Sequence, residues 1–81
     1  MLISLVDMKP GETGIVMKID GGFTATKRIQ SMGVRTGKRI KKLGAHFWRS
    51  PQTVLVDNFK VAIGFGMAAK IFVEVERSED K

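Results

Sequence analysis

The sequence predicts an all-β fold, a small barrel of five short strands with one short helix between the first two strands. Glycine and proline residues divide the 81 residues into short segments, and most segments alternate apolar and polar residues as half-buried strands do. One segment instead repeats apolar residues at helical spacing. Because a flat sheet of five short strands would leave unpaired edges, closure into a barrel is favoured.

Each predicted strand is bounded by turn residues. The five strands cover residues 13–20, 38–43, 53–57, 59–63 and 70–76. In the first strand, alternation places Ile15, Met17 and Ile19 on the core face. In the last strand it places the odd-numbered positions of residues 71–75 there. A tight turn through residues 57–58 joins the third and fourth strands, because Asp and Asn tolerate unusual backbone angles.

The predicted helix covers residues 25–32, with Thr24 as its N-cap and with Ala25, Ile29 and Met32 on its inward face. Gly33 follows the last apolar helical position, where the chain must adopt a left-handed conformation that glycine reaches at little cost. Gly37 then precedes a strand rich in Lys and Arg. We refer to residues 33–37 as the glycine joint. It fixes how the helix leads into the second strand.

A single domain over residues 1–76 and a polar tail over residues 77–81 follow from the length and the final charged residues. Ser4 can cap a short helical turn before the first strand. The position of the longer helix decides between two small barrels. An OB-fold usually carries its helix between strands three and four, whereas here the helix follows strand one. The sequence therefore predicts an SH3-like barrel.

Charge is distributed unevenly along the chain. Residues 21–56 contain eight basic residues and no acidic residue, whereas the remainder contains six basic and eight acidic residues. The eight are Lys27, Arg28, Arg35, Lys38, Arg39, Lys41, Lys42 and Arg49. Such asymmetry predicts an electropositive face and an acidic or anionic partner, with a merely solvated basic surface as the alternative.

Several function classes are disfavoured by what the chain lacks. There is no cysteine and His46 is the only histidine, so neither a thiolate metal site nor a histidine cluster is available. The segment before the helix contains Gly21 and Gly22 but no P-loop pattern, so nucleotide binding is not expected. No nucleophile is paired with a base. We therefore expect no enzyme activity, no cofactor and no small-molecule substrate. The apolar runs are too short to span a bilayer, so we expect no membrane insertion.

The order of glycine and apolar residues along the chain is further evidence about fold and function. Its most specific parts are residues 32–34 followed by Gly37, and Ala68 followed by Ile71 and Val73. Over about residues 2–75 the pattern resembles the FeoA family, small cytosolic proteins associated with the ferrous iron transporter FeoB. The same domain occurs in iron-dependent repressors of the DtxR type, where it follows a DNA-binding region, and we do not expect a repressor function from the domain alone. Phe47 and Trp48 depart from the family, whose members typically carry a small Pro- and Gly-rich loop there.

The resemblance implies a cytoplasmic accessory protein of bacterial ferrous iron uptake, recruited to the inner face of the membrane by the GTP-dependent FeoB-type transporter. We expect the partner to contact the basic residues that flank the glycine joint and the aromatic loop, which are Arg28, Arg35, Lys38, Phe47 and Trp48. Gly33 and Gly37 are expected to have a structural role.

Two other functions are weighed against this one. A nucleic-acid-binding barrel would use the basic face, with Phe47 and Trp48 for stacking and Lys41 and Lys42 for phosphate contacts. It is disfavoured because the aromatics are few and confined to one loop. Direct metal sensing is disfavoured because ligands are missing, and His46 is better explained as a loop residue.

Overall fold

The structure, a computed structural model, describes residues 1–45 and 49–77. Within these residues one antiparallel sheet has the strand order β1-β6-β2-β3-β4-β5. The strands are β1 (Leu2–Ser4), β2 (Thr13–Ile19), β3 (Arg39–Gly44), β4 (Gln52–Val56), β5 (Phe59–Ile63) and β6 (Ile71–Val75). The helices are α1 (Gly22–Ser31) and α2 (Phe65–Ala68), and a 3-10 turn covers Leu5–Asp7.

The predicted all-β class is confirmed, but the described residues form six strands instead of five. The additional strand, β1, pairs with β6, with Leu2 opposite Glu74 and Ser4 opposite Phe72. Three residues are too few to show an alternating pattern, so no signal in the sequence marks β1. Ser4 caps the 3-10 turn as expected, since its Oγ accepts a hydrogen bond from the Val6 amide at 3.4 Å.

The core lies on one face of the sheet. The completely or almost completely buried apolar residues are Leu5, Met8, Val16, Ile29, Val34, Ile40, Val54, Val56, Ile63, Ala68, Ile71, Val73 and Val75. The inward face predicted for β6 is confirmed, because Ile71, Val73 and Val75 are all buried. The positive φ angles of Asp57 and Asn58, 51° and 69°, confirm the tight turn between β4 and β5.

The inward face predicted for β2 is wrong at Met17 but right at Ile19, which packs partly buried against the core. Val16 is completely buried, whereas Met17 is 51% exposed. The pairing of β2 with β6 shifts between Val16 and Lys18, so an irregularity at Met17 interrupts the alternation. Gly14, on the buried face, allows close approach of β6, because a Cβ there would lie 2.8 Å from the Glu74 carbonyl oxygen.

The start of α1 also differs from the prediction. The helix begins at Gly22, after Gly21, and has no side-chain cap, so Thr24 lies inside the helix. Gly22 has φ +71°, so the chain enters the helix at this glycine, two residues before the predicted N-cap residue Thr24. The inward face is as predicted: Ile29 is buried and Met32 packs partly buried against the core.

Candidate partner-binding surface

The glycine joint has the backbone that the sequence predicts. Gly33 has φ +94°, and its amide donates to the Gln30 carbonyl at 2.9 Å, which ends α1. Gly37 has φ +93°. The Lys38 amide donates to the Arg35 carbonyl at 3.0 Å, so residues 35–38 form a β-turn with glycine at the third position.

This turn is fixed to the sheet by the backbone of β2. The Gly37 amide donates to the Val16 carbonyl at 2.7 Å, and the Val16 amide donates to the Lys38 carbonyl at 2.8 Å. Val34, between the two glycines, is completely buried. The joint therefore presents its side chains from a well-supported position and not from a loose loop.

Two of the three basic residues predicted for partner binding are exposed. Arg28 lies in the last turn of α1, and Arg35 opens the β-turn. Lys38 is less available, since its Nζ lies 2.7 Å from Oδ2 of Asp57 in the turn between β4 and β5. The structure thus brings Lys38 and the β4–β5 turn together at the glycine joint.

The eight basic residues do not form one face, and the phosphate-contact role considered for Lys42 is wrong. Lys42 is only 3% exposed, because it occupies an inward position of β3 between outward Lys41 and Leu43. Its Nζ donates to the Leu5 carbonyl at 3.1 Å and to the Met8 carbonyl at 3.0 Å. Burial lowers the pKa of Lys42, with Asp7 and Glu12 acting in the opposite direction.

The hydrogen bonds of the buried ammonium hold the segment of the 3-10 turn against β3. The backbone of Lys42 adds to this connection, because its amide donates to the Glu12 carbonyl at 2.8 Å and its carbonyl accepts from the Gly11 amide at 2.7 Å. Lys42 is therefore a structural residue. Because Lys42 is buried, its ammonium is not available to bind phosphate. This weakens the hypothesis of a nucleic-acid-binding barrel, which used Lys41 and Lys42 together for phosphate contacts.

His46, Phe47 and Trp48 lie outside the described residues, so their roles stay predictions. Across residues 1–45 and 49–77, no three His, Asp or Glu side chains converge on a possible metal position. In the same part of the chain, no helix is long and apolar enough to cross a membrane.

Sequence reasoning missed two exposed aromatic residues. Phe23, in the first turn of α1, is 79% exposed, with the Lys27 Nζ 5.4 Å from its ring centroid. Phe59, the first residue of β5, is 72% exposed. Alternation places Phe59 on the same side of the strand as buried Ile63, so the sequence pattern offers no signal for its exposure.

Comparison with known proteins identifies the family. The profile of the FeoA domain matches residues 3–75. The chain belongs to the FeoA domain family. It is 39% identical over 66 residues to a protein of Methanocaldococcus jannaschii described as an Fe(2+) transport protein A, a match that covers 82% of this chain and 78% of the relative.

Solved structures of FeoA proteins share the fold. The crystal structure of an iron uptake regulatory protein (FeoA) is 34% identical, with a TM-score of 0.84 over 94% of this chain and 99% of that one. The FeoA-like protein from Clostridium acetobutylicum is 20% identical, with a TM-score of 0.83 over 99% of this chain and 93% of that one. The latter likeness concerns the fold alone. Together they confirm the SH3-like fold predicted from the sequence.

Proposed function

We propose that this FeoA-family protein is a cytoplasmic accessory protein of ferrous iron uptake that acts by binding the cytosolic part of a FeoB-type GTP-dependent transporter. The family match over residues 3–75 carries the proposal, supported by similarity to a relative described as an Fe(2+) transport protein A. The protein acts without catalysis of its own. Binding one conformation of the transporter more tightly than another is sufficient to change its activity.

The surface at the glycine joint is suited to such an interaction. Arg28 and Arg35 are exposed and project from a helix end and a turn that the sheet supports. Charge of this kind steers association with an acidic partner surface and contributes more to its rate and specificity than to its strength. The acidic patch would lie on the transporter.

Measurement of ferrous iron uptake in cells tests this proposal. Deletion of the protein should reduce uptake, and the double variant Arg28→Glu, Arg35→Glu should restore it less well than the wild type. The control is Lys18→Glu, Lys70→Glu, which makes the same charge change at two exposed residues that the proposal does not use. Equal uptake in both variants, with folding confirmed by circular dichroism, would remove Arg28 and Arg35 from the mechanism.

Lys38 is tested separately, because reversing its charge would place a second carboxylate beside Asp57. The variant Lys38→Gln removes the charge without that repulsion.

If deletion of the whole protein leaves ferrous iron uptake unchanged under iron limitation, the proposed function itself is wrong.

A further inference from the structure

One edge of the sheet is formed by β5, which pairs only with β4 among the described residues. The two-residue turn at Asp57 and Asn58, with positive φ at both positions, is of the type I′ kind that closes hairpins. Its flanking residues, Val56 and Phe59, therefore form a hydrogen-bonded pair. Such pairs alternate along an antiparallel ladder, so the backbone N–H and C=O groups of Lys60 and Ala62 face away from β4.

The side chains beside this edge are basic. The strand register places Lys41 opposite Leu55 and Leu55 opposite Lys60, so two lysines flank a leucine on the outer face of the sheet. Strands β3, β4 and β5 contain no acidic residue. A shallow groove next to Lys41, Leu55 and Lys60 is lined by Leu43, Gly44, Ala45, Thr53 and Lys60. This surface is complementary to carboxylate side chains.

An apolar anchor lies at the start of the same edge. Phe59 is 72% exposed and lies opposite Val56, whose Cγ1 would be 3.8 Å from a Cβ at Gly33. Phe59 is therefore paired with a residue whose side chain packs beside the glycine joint. Aromatic side chains surrounded by polar or charged groups are frequent centres of binding energy in protein interfaces.

We propose that the edge of β5 binds an extended acidic segment of the partner protein as an additional strand, with Phe59 covered by an apolar residue of that segment. Lys60 and Ala62 supply two amide donors and two carbonyl acceptors to the added strand. Carboxylates on the outer face then meet Lys60 and Lys41. The inference rests on the proposed function for the identity of the partner, and it adds the surface and the mode of binding.

A different role for Lys60 is protection of the edge against unwanted pairing, since lysines on edge strands often serve this purpose. Protection alone does not account for Phe59, because a large exposed aromatic ring next to an open edge promotes association and does not prevent it. The combination of an open edge, a basic outer face and an exposed ring favours a binding surface.

The variant Ala62→Pro tests the backbone contacts. Proline is tolerated where the lost N–H faces away from the neighbouring strand, so the variant should keep its bonds to β4 while losing one donor to the added strand. The matched control is Ala62→Thr, which adds atoms at the same position and keeps the amide. We expect Ala62→Pro to bind the purified cytosolic domain of the transporter about tenfold more weakly, because one carbonyl of the added strand is left without its donor. Ala62→Thr should bind normally.

Two further measurements do not depend on the folding of the proline variant. Phe59→Ser changes an exposed ring and should weaken binding without lowering the denaturation midpoint. Amide hydrogen exchange of the wild-type chain, followed by NMR, should slow at Lys60 and Ala62 when the transporter domain is added. The amides of Val61 and Ile63, already bonded to β4, should change little.

The outcomes separate this inference from the proposed function. If the wild type binds the transporter domain but Ala62→Pro and Phe59→Ser bind equally well, and the Lys60 and Ala62 amides are unaffected, the β5 edge is not the binding surface and the proposed function stands. If the wild type does not bind, both fail. If a single-stranded oligothymidylate competes with the domain at physiological salt, and Lys60→Glu but not Ala62→Pro abolishes its binding, the surface serves nucleic acid and the inference is wrong.

Discussion

Single residues hold the glycine joint and the buried side of β3 in place. Gly33 has φ +94°, and the space next to it is open, since a Cβ would meet only Val56 Cγ1 at 3.8 Å. A side chain at this position therefore fits sterically. The cost of introducing one arises from the backbone angle alone.

We expect Gly33→Ala to lower the free energy of unfolding by about 1–2 kcal/mol, the cost of a left-handed conformation for a residue with a Cβ. Gly64→Ala is the control, because Gly64 has φ −54° and also has open space at its Cβ. Chemical denaturation of both variants provides the comparison. Equal midpoints for Gly33→Ala and Gly64→Ala would contradict the assigned backbone conformation.

Substitution of Lys42 measures how much a buried ammonium that donates to backbone carbonyls contributes to the free energy of unfolding. We expect Lys42→Met to lower the free energy of unfolding by about 1–3 kcal/mol, because the Met8 carbonyl loses its donor while the apolar volume is kept. Lys41→Met, one residue away on the exposed face, should have little effect. A Lys42→Met variant as stable as the wild type would show that the two hydrogen bonds only offset the cost of burying the ammonium.

At the scale of elements, the end of β6 is joined to the segment before β2 by an ion pair. Arg77 donates through Nε to Oε2 of Glu12 at 2.8 Å and through Nη2 to Oε1 at 2.7 Å. Arg77 also reaches the Asp7 carbonyl at 3.1 Å. The Arg77 hydrogen bond is the main cause that lowers the pKa of Glu12 to about 2, and the same pair raises the pKa of Arg77. The polar tail predicted from residue 77 thus begins with a bound residue.

The lowered pKa of Glu12 predicts a pH-dependent contribution to stability. A carboxyl with a folded-state pKa of about 2 against an ordinary 4.5 stabilises the fold above pH 4.5 and loses that contribution as the pH falls towards 2. The difference in unfolding free energy between wild type and Glu12→Gln should therefore be largest at neutral pH and shrink through this range. Glu76→Gln, at an exposed residue, is the control. A difference that is constant with pH would contradict the ion pair.

At the scale of the whole molecule, the formal net charge of +6 favours association with the acidic partner surface that the proposed function requires. The positive charge is concentrated in residues 21–56, and strands β3, β4 and β5 carry no acidic residue to offset it. Long-range attraction of this kind acts on association more than on dissociation.

We predict that the association rate with the transporter's cytosolic domain falls steeply as NaCl rises from about 50 mM to about 500 mM, because the Debye length shortens across that range. The dissociation rate should change much less. Stopped-flow or surface-based kinetics measure both rates. The double variant Arg28→Glu, Arg35→Glu should show a weaker salt dependence, and an association rate that is independent of salt would rule out electrostatic steering.

The sequence by itself determined the order of α1 and of strands β2 to β6 and the position of the glycine joint, and its pattern of glycine and apolar residues indicated the family. These features depend on local rules: alternation marks strands, helical spacing marks α1, and a left-handed position requires glycine. The inward residues of β6 followed from alternation alone. The tight turn at Asp57 and Asn58 followed from the tolerance of both residue types for unusual backbone angles. Local patterns of this kind are present wherever a segment is long and regular.

Only the tertiary structure decided where individual side chains lie relative to the core and the surface. Lys42 is buried because carbonyls from the 3-10 turn, more than thirty residues earlier in the chain, accept hydrogen bonds from its ammonium. Phe59 is exposed although it shares a strand face with Ile63, because no described element covers the start of β5. Met17 faces solvent because the face of β2 that packs against the core carries Gly14 and Val16. Each outcome depends on which segments distant in sequence do or do not pack against the residue, and periodicity within one segment cannot reveal this.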